Sequence, residues 1–251
     1  MAAAHGDIQV VEHFHLLFLA QLGARLDKKL YALKGGCNLR FFWKSIRYSE
    51  DIDFDAHTIA KHTLQKNVRQ ILEAPGFQRI LRSVKIQVTH ISEPKQTDTT
   101  QRWKLHLLGA LGRAHPTKIE FSRRKFDPGV TFGPVDSEIL AAHNLGPILA
   151  SHYNLEAAFS QKLEALLNRR ETQARDIYDL ASLSERGAKL TAIKTDKTRM
   201  AKACQIVRSV SFDQFQSQLV AYLAPDYQAH YGNPQAWTSL RGNVVRILER
   251  L

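Results

Sequence analysis

Hydrophobic residues recur every three or four positions between residues 8 and 27: Val11, Phe14, Leu17, Phe18, Leu22 and Leu26. That period puts them on one side of a helix, so the chain is expected to open with an amphipathic helix. The pattern then changes. LYALKGG is a short apolar run closed by Gly35 and Gly36, which predicts a strand and a sharp turn. CNLRFFW, residues 37–43, starts a helix. EDIDFD, residues 50–55, alternates strictly and predicts a strand. Its alternation places Asp51, Asp53 and Asp55 on one face and Ile52 and Phe54 on the other. Residues 57–73 read as a helix, with the breaker pair Pro75–Gly76 just beyond. Three strands are expected at SVKIQVTHI (83–91), RWKLHLLGAL (102–111) and TKIEFS (117–122). Residues 127–147 hold Pro128, Gly129, Gly133, Pro134, Gly146 and Pro147 and read as a loop, after which strand signals stop. Helix is expected over 154–186, and over most of 188–251 with a break near Pro225 and Gly232–Pro234. The prediction is an α+β protein, with a mixed α and β core over 1–147 and a helical region over 148–251.

Composition narrows the class. A chain of 251 residues that is 44% hydrophobic and 24% charged is an ordinary globular protein, not a disordered, collagen-like or coiled-coil one. Cys37 and Cys204 are the only cysteines, which argues against a disulfide framework and a cysteine-based zinc site. The formal charge of +11 points to an anionic partner, and charge alone does not choose among nucleic acid, nucleotide and acidic membrane. The N-terminus has no basic segment ahead of an apolar run, and Leu16–Ala20 is far too short to span a bilayer. The expected location is the cytoplasm, without a membrane partner.

Candidate chemistry concentrates in KGGCNLRFFWKSIRYSEDIDFD, residues 34–55. Two carboxylates two residues apart on a strand can grip the same hard cations. Magnesium takes oxygen ligands, often one or two carboxylates plus substrate phosphates. Two such ions ~3.5–4 Å apart can clamp the attacking and leaving oxygens of a phosphoryl displacement. A lone DxD is more often an exposed strand with solvated acids. Here Gly35 and Gly36 precede it, and backbone amides at such a turn can hold phosphates. Glu120 shares a face with Lys118 and is either a third acid beside the metal or part of a Lys–Glu surface. Lys162, Arg169 and Asp176 are spaced by seven, so a continuous helix lines them up on one face. A solvated charged face is the plainer account of that stripe.

These blocks resemble a known family. GGCNLR, then RYSEDIDF, then KLEALLNR followed by ARDIYDL, is similar to the AbiEii/AbiGii toxins. Those are nucleotidyltransferase-like proteins of the DNA polymerase β superfamily, the toxin halves of type IV toxin–antitoxin or abortive-infection systems. The resemblance runs over residues 8–185 and implies a nucleotidyltransferase-like sheet core. It implies NTP as substrate, one or two Mg²⁺, tRNA as the acceptor of the transferred nucleotide, and a cognate antitoxin. Residue by residue, it puts the glycine–hydroxyl motif at Gly36 and Cys37, with Gly35 beside them, and the metal-binding aspartates at Asp51 and Asp53. Arg47 and Ser49 match the polar lead-in to the aspartates. Lys162 becomes the phosphate-contacting lysine, Asp176 the acid of the last motif, and Glu120 the third acid. In this reading the helical region completes the active site. Cys37 departs from the pattern, because a thiol is a poorer donor than the usual hydroxyl.

The basic charge clusters at Arg186, Lys189, Lys194, Lys197, Arg199, Lys202 and Arg208, with a second group at Arg123, Arg124 and Lys125. Either group is a solvated surface or a groove for a polynucleotide backbone. The tryptophans Trp43, Trp103 and Trp237 are expected in the core or at an interface. Two other functions remain open. One is a catalytically weak nucleotide- or RNA-binding module of a toxin–antitoxin complex. The other is a nucleotidyltransferase acting on protein or a small molecule.

Overall fold

The computed structural model describes residues 2–124, 128–189, 193 and 195–251. The chain forms two compact units. The first is Met1–Phe42 with Tyr48–Tyr153, and the second is Trp43–Arg47 with Asn154–Leu251.

The first unit is built on a seven-stranded mixed sheet of order β3-β4-β5-β2-β1-β7-β6. The strands are β1 Tyr31–Lys34, β2 Ile52–Ala56, β3 Gln87–Gln96, β4 Thr100–Leu108, β5 Ala114–Ser122, β6 Val130–Pro134 and β7 Leu149–Tyr153. β2 runs antiparallel to β1 and parallel to β5. Its helices are α1 Ala2–Arg25, α2 Gly35–Phe42, α3 Lys61–Glu73, α4 Pro75–Ser83 and α5 Ser137–Ala142.

Strand alternation divides the sheet into two chemically different faces. Leu33, Ile52, Phe54, Trp103, Leu105, Ile119 and Phe121 are fully buried on one of them. Phe54 stacks on Phe121 at 4.7 Å between ring centroids, and Trp103 meets Phe121 edge-on at 6.0 Å. The opposite face carries the charged residues described below.

α1 departs from the amphipathic expectation. Phe14, His15, Leu16, Phe18 and Leu19 are all fully buried, so this stretch is enclosed on every side. A helix covered all round must partner its polar groups internally. Three further differences concern boundaries. Pro75 does not simply break the chain but opens α4, because proline's missing N–H costs nothing at a first helical position. The strand expected at 83–91 begins four residues later, since Ser83 ends that helix. The expected loop over 127–147 contains β6 and α5, and β7 follows it, so the strands continue to Tyr153. Proline and glycine misled there: β6 is an edge strand, where Pro134 removes no ladder bond that a neighbour needs.

The second unit is helical: α6 Leu155–Asn168, α7 Ala174–Glu185, α8 Lys197–Ser209, α9 Phe212–Gln218, α10 Pro225–Tyr231 and α11 Pro234–Glu249. Trp237 is buried and stacks on Phe215 at 4.5 Å. Among the described residues, no helix is long and apolar enough to cross a membrane.

Truncating Phe54 to alanine removes the ring at the centre of the apolar face. Urea unfolding of Phe54→Ala should show a loss of about 3–5 kcal/mol. A loss below ~1 kcal/mol would contradict this packing.

Candidate active site

The polar face of the sheet is set by register. Lys34 on β1 lies opposite Asp53 on β2, Asp53 opposite Glu120 on β5, and Glu120 opposite Arg102 on β4. Directly opposed residues point to the same face, so these four form a row across four strands. Asp51 immediately precedes β2, and Lys118 on β5 reaches it at 2.7 Å. Arg102 holds Glu120 at 2.6 Å. Both pairs are part-exposed, so neither adds much stability.

Asp53 differs from its neighbours. Among the described residues its side chain makes no hydrogen bond or ion pair, and it is half-buried. Burial, then the charges of Asp51 and Glu120, push its carboxyl up to about 6, against the pull of Lys34 and Lys118. Gly35 makes room for it. A β-carbon on Gly35 would lie 2.9 Å from Asp53 Oδ2, and the residue has φ of +67°, which disfavours any side chain there. Asp55, the third acid of the run, has a structural role instead. Lys34 Nζ reaches it at 2.5 Å, and the Tyr153 hydroxyl donates to it at 2.8 Å.

The residue types suit a hard divalent cation. The donors are carboxylate oxygens, and the one at the centre lacks a partner and suffers like-charge crowding that a cation relieves. Among the described residues, no group of three or more acidic, histidine or cysteine side chains forms a ready-made metal cage. A magnesium site completed by substrate phosphates does not need one.

Gly35 and Gly36 open α2, whose first-turn amides have no partner within the helix. Cys37 is buried beneath this turn, with its Sγ 3.3 Å from the Asp51 carbonyl oxygen and 3.5 Å from His15 Nδ1. Burial, with the nearby Asp53 charge, holds its thiol well above the usual range, so it stays protonated. Ser49 donates to the same Asp51 carbonyl at 2.9 Å.

The other expected site residues gather in the second unit. The stripe of Lys162, Arg169 and Asp176 does not arise on one continuous helix, because the helix breaks between Asn168 and Ala174. The break folds α7 back along α6 and brings the same side chains together. Lys162 Nζ lies 3.3 Å from Asp176 and 2.7 Å from Asp179, and Arg169 lies 2.6 Å from the other Asp176 oxygen. Arg47 is buried here too, bonded to Asp179 through Nε at 3.2 Å and Nη2 at 3.0 Å. Burial alone raises the Asp179 carboxyl, but Arg47 and Lys162 reverse this and hold it below the usual carboxylate range.

Of the basic residues, Arg186, Lys189, Lys197, Lys202 and Arg208 are exposed in the second unit. Arg199 pairs with Glu164, and Arg208 with Glu249 at 2.9 Å. Arg123 donates to the Ile59 carbonyl at 2.6 Å and keeps its charge. Lys125 and Lys194 lie outside the described residues. Sequence reading missed the partners of the acids. Alternation in RWKLHL puts Arg102 on a polar face, but only the strand register sets it beside Glu120.

The family described as nucleotidyl transferase AbiEii toxin of type IV toxin–antitoxin systems matches residues 17–235. The chain belongs to the AbiEii nucleotidyltransferase toxin family. It is therefore a nucleotidyltransferase of the toxin class, a family that implies an NTP substrate and an antitoxin partner. Among solved structures, the chain is similar to MenT4, a nucleotidyltransferase toxin from Mycobacterium tuberculosis H37Rv. That match has a TM-score of 0.61 at 17% identity, covering 98% of this chain and 85% of the other. It is also similar to JHP933 from Helicobacter pylori, with a TM-score of 0.54 at 18% identity, covering 96% and 94%. Likeness at these identities shows a common fold. No curated protein sequence matches the chain significantly.

Two outcomes follow from this geometry. An aspartate raised from its ordinary value to about 6 binds more protons folded than unfolded, so it costs stability as pH rises through that window and above it. Asp53→Asn should therefore be more stable than the wild type to urea at pH 7.5, by roughly 2–3 kcal/mol in metal-free buffer, with the gap closing near pH 4. A gap independent of pH would contradict the raised Asp53 carboxyl. In the second unit, Arg47→Met leaves Asp179 with one cation fewer in a buried site, and urea unfolding should show a loss of about 3–5 kcal/mol.

Proposed function

We propose that this AbiEii-family enzyme transfers a nucleoside monophosphate from an NTP to a hydroxyl of tRNA, using Mg²⁺ held by Asp51 and Asp53. The observation that carries the reading is the unpartnered Asp53 carboxylate, seated on a glycine turn and crowded by two further acids. A bound divalent cation would neutralise charge on the triphosphate and its transition state. The chain's own groups do the rest. The amides of Gly35 and Gly36 take phosphate oxygens, as helix starts do. Glu120 supplies the third acid and accepts the proton of the attacking hydroxyl. The new bond joins that oxygen to the α-phosphorus, and the α–β bridging oxygen leaves with pyrophosphate. The family resemblance gives Lys162 the phosphate-contacting role, and within the second unit Asp176 and Asp179 hold its ammonium in one place. Both Asp176 oxygens are engaged by cations, which favours this anchoring role over proton abstraction. Positioning and electrostatics supply most of the rate in phosphoryl chemistry.

The family and the exposed basic residues of the second unit support an RNA acceptor and a cytoplasmic site of action. Salt should weaken RNA binding. The buried Cys37 thiol serves the backbone of the aspartate loop, so the missing hydroxyl at that position is weak support for a non-catalytic binding module.

The test is label transfer from each of four α-³²P NTPs to total tRNA and to total protein, with and without Mg²⁺. Label should appear on tRNA from the wild type, need Mg²⁺, and vanish in Asp53→Ala. Label on protein instead would replace the acceptor, and full activity in Asp53→Ala would overturn the mechanism. Lys162→Ala should raise KM for the NTP.

A further inference from the structure

The loop that delivers Asp51 lies ahead of the β2 ladder, which begins at Ile52. Side chains hold it there, and they converge on one imidazole. His15, fully buried on α1, has Thr117 Oγ1 2.7 Å from Nε2 and Cys37 Sγ 3.5 Å from Nδ1. Thr117 donates its hydroxyl proton to the Glu50 carbonyl at 2.7 Å, and Cys37 Sγ lies 3.3 Å from the Asp51 carbonyl. One ring nitrogen thus leads through the Thr117 hydroxyl to the Glu50 carbonyl, and the other packs against the Cys37 sulfur that lies on the Asp51 carbonyl. The protonation pattern is fixed by elimination. Thr117 has spent its only proton on Glu50, so it accepts from His15 Nε2–H, which leaves Nδ1 as an acceptor beside the thiol; that thiol has one proton for two acceptors, Nδ1 and the Asp51 carbonyl, and bonds one of them at a time.

We propose that His15 is a positioning residue for the metal-binding aspartates, acting through Thr117 and Cys37 on the backbone of Glu50 and Asp51. This rests on the reading of Asp51 and Asp53 as metal ligands. The imidazole touches neither substrate nor carboxylate. It sets where the Asp51 carboxylate starts from, and groups that orient metal ligands typically change metal affinity about 10–100-fold when lost.

The test is Mn²⁺ affinity of the full chain, read by electron paramagnetic resonance on folded protein. Thr117→Val is nearly isosteric and should weaken Mn²⁺ binding about tenfold or more, while Thr117→Ser should restore it. Cys37→Ala cuts the other arm and should also weaken it. His15→Asn combined with Thr117→Val should bind no more weakly than the worse single variant, because all three groups act on one loop. A merely structural role would lower the unfolding midpoint and leave the affinity of the folded fraction unchanged. Wild-type affinity in both Thr117→Val and Cys37→Ala overturns the positioning role. Equal Mn²⁺ binding by wild type and Asp53→Asn overturns the metal reading itself, and the positioning role falls with it.

Discussion

Asp53 holds a carboxylate on a sheet face where two other acids press against it and, among the described residues, no cation bonds it. Repulsion of this kind is unfavourable and persists only because the surroundings fix it. The β2–β5 register brings Glu120 alongside. Gly35 leaves the space that a side chain would take. Lys118 and Arg102 engage the flanking acids and stop short of the central one. The opposite face of the same strands packs Leu33, Ile52, Phe54, Trp103, Leu105, Ile119 and Phe121, and that packing keeps the strands from shifting to relieve the strain. Such crowding of carboxylates suits a divalent cation.

The second unit meets a similar problem with the opposite solution. Asp176 and Asp179 are both fully buried, yet Lys162, Arg169 and Arg47 bond every one of their oxygens. Such a cluster is costly to break and fixes side-chain positions, so the lysine has one location rather than many. In one unit an anion is left unbalanced and open to a ligand. In the other, anions are spent on holding a cation still.

Much of this was legible in the sequence. Strict alternation in EDIDFD marked β2, and the glycine pair marked the turn that opens α2. The α+β class followed from where alternation gives way to helical periods. The resemblance of the three motif blocks to AbiEii toxins led to the family. What escaped has a physical reason. β6 and β7 are short and flanked by proline and glycine, and only pairing with neighbours makes them strands. Lys162, Arg169 and Asp176 were expected to line one face of a continuous helix; the helix instead breaks, and the break brings Lys162 and Asp176 into contact that a straight helix would keep about 21 Å apart. His15 showed no pattern at all. Its importance comes from the burial of α1 on every side and from contacts more than a hundred residues away, at Thr117.

Asp51 and Asp53 are proposed to hold a cation together with the triphosphate. A crystal of the protein grown with Mn²⁺ and a non-hydrolysable NTP tests it most directly, through the anomalous scattering of manganese. The account predicts a peak in contact with both carboxylates and with phosphate oxygens. Bound nucleotide with no anomalous peak at Asp51 and Asp53 would contradict it.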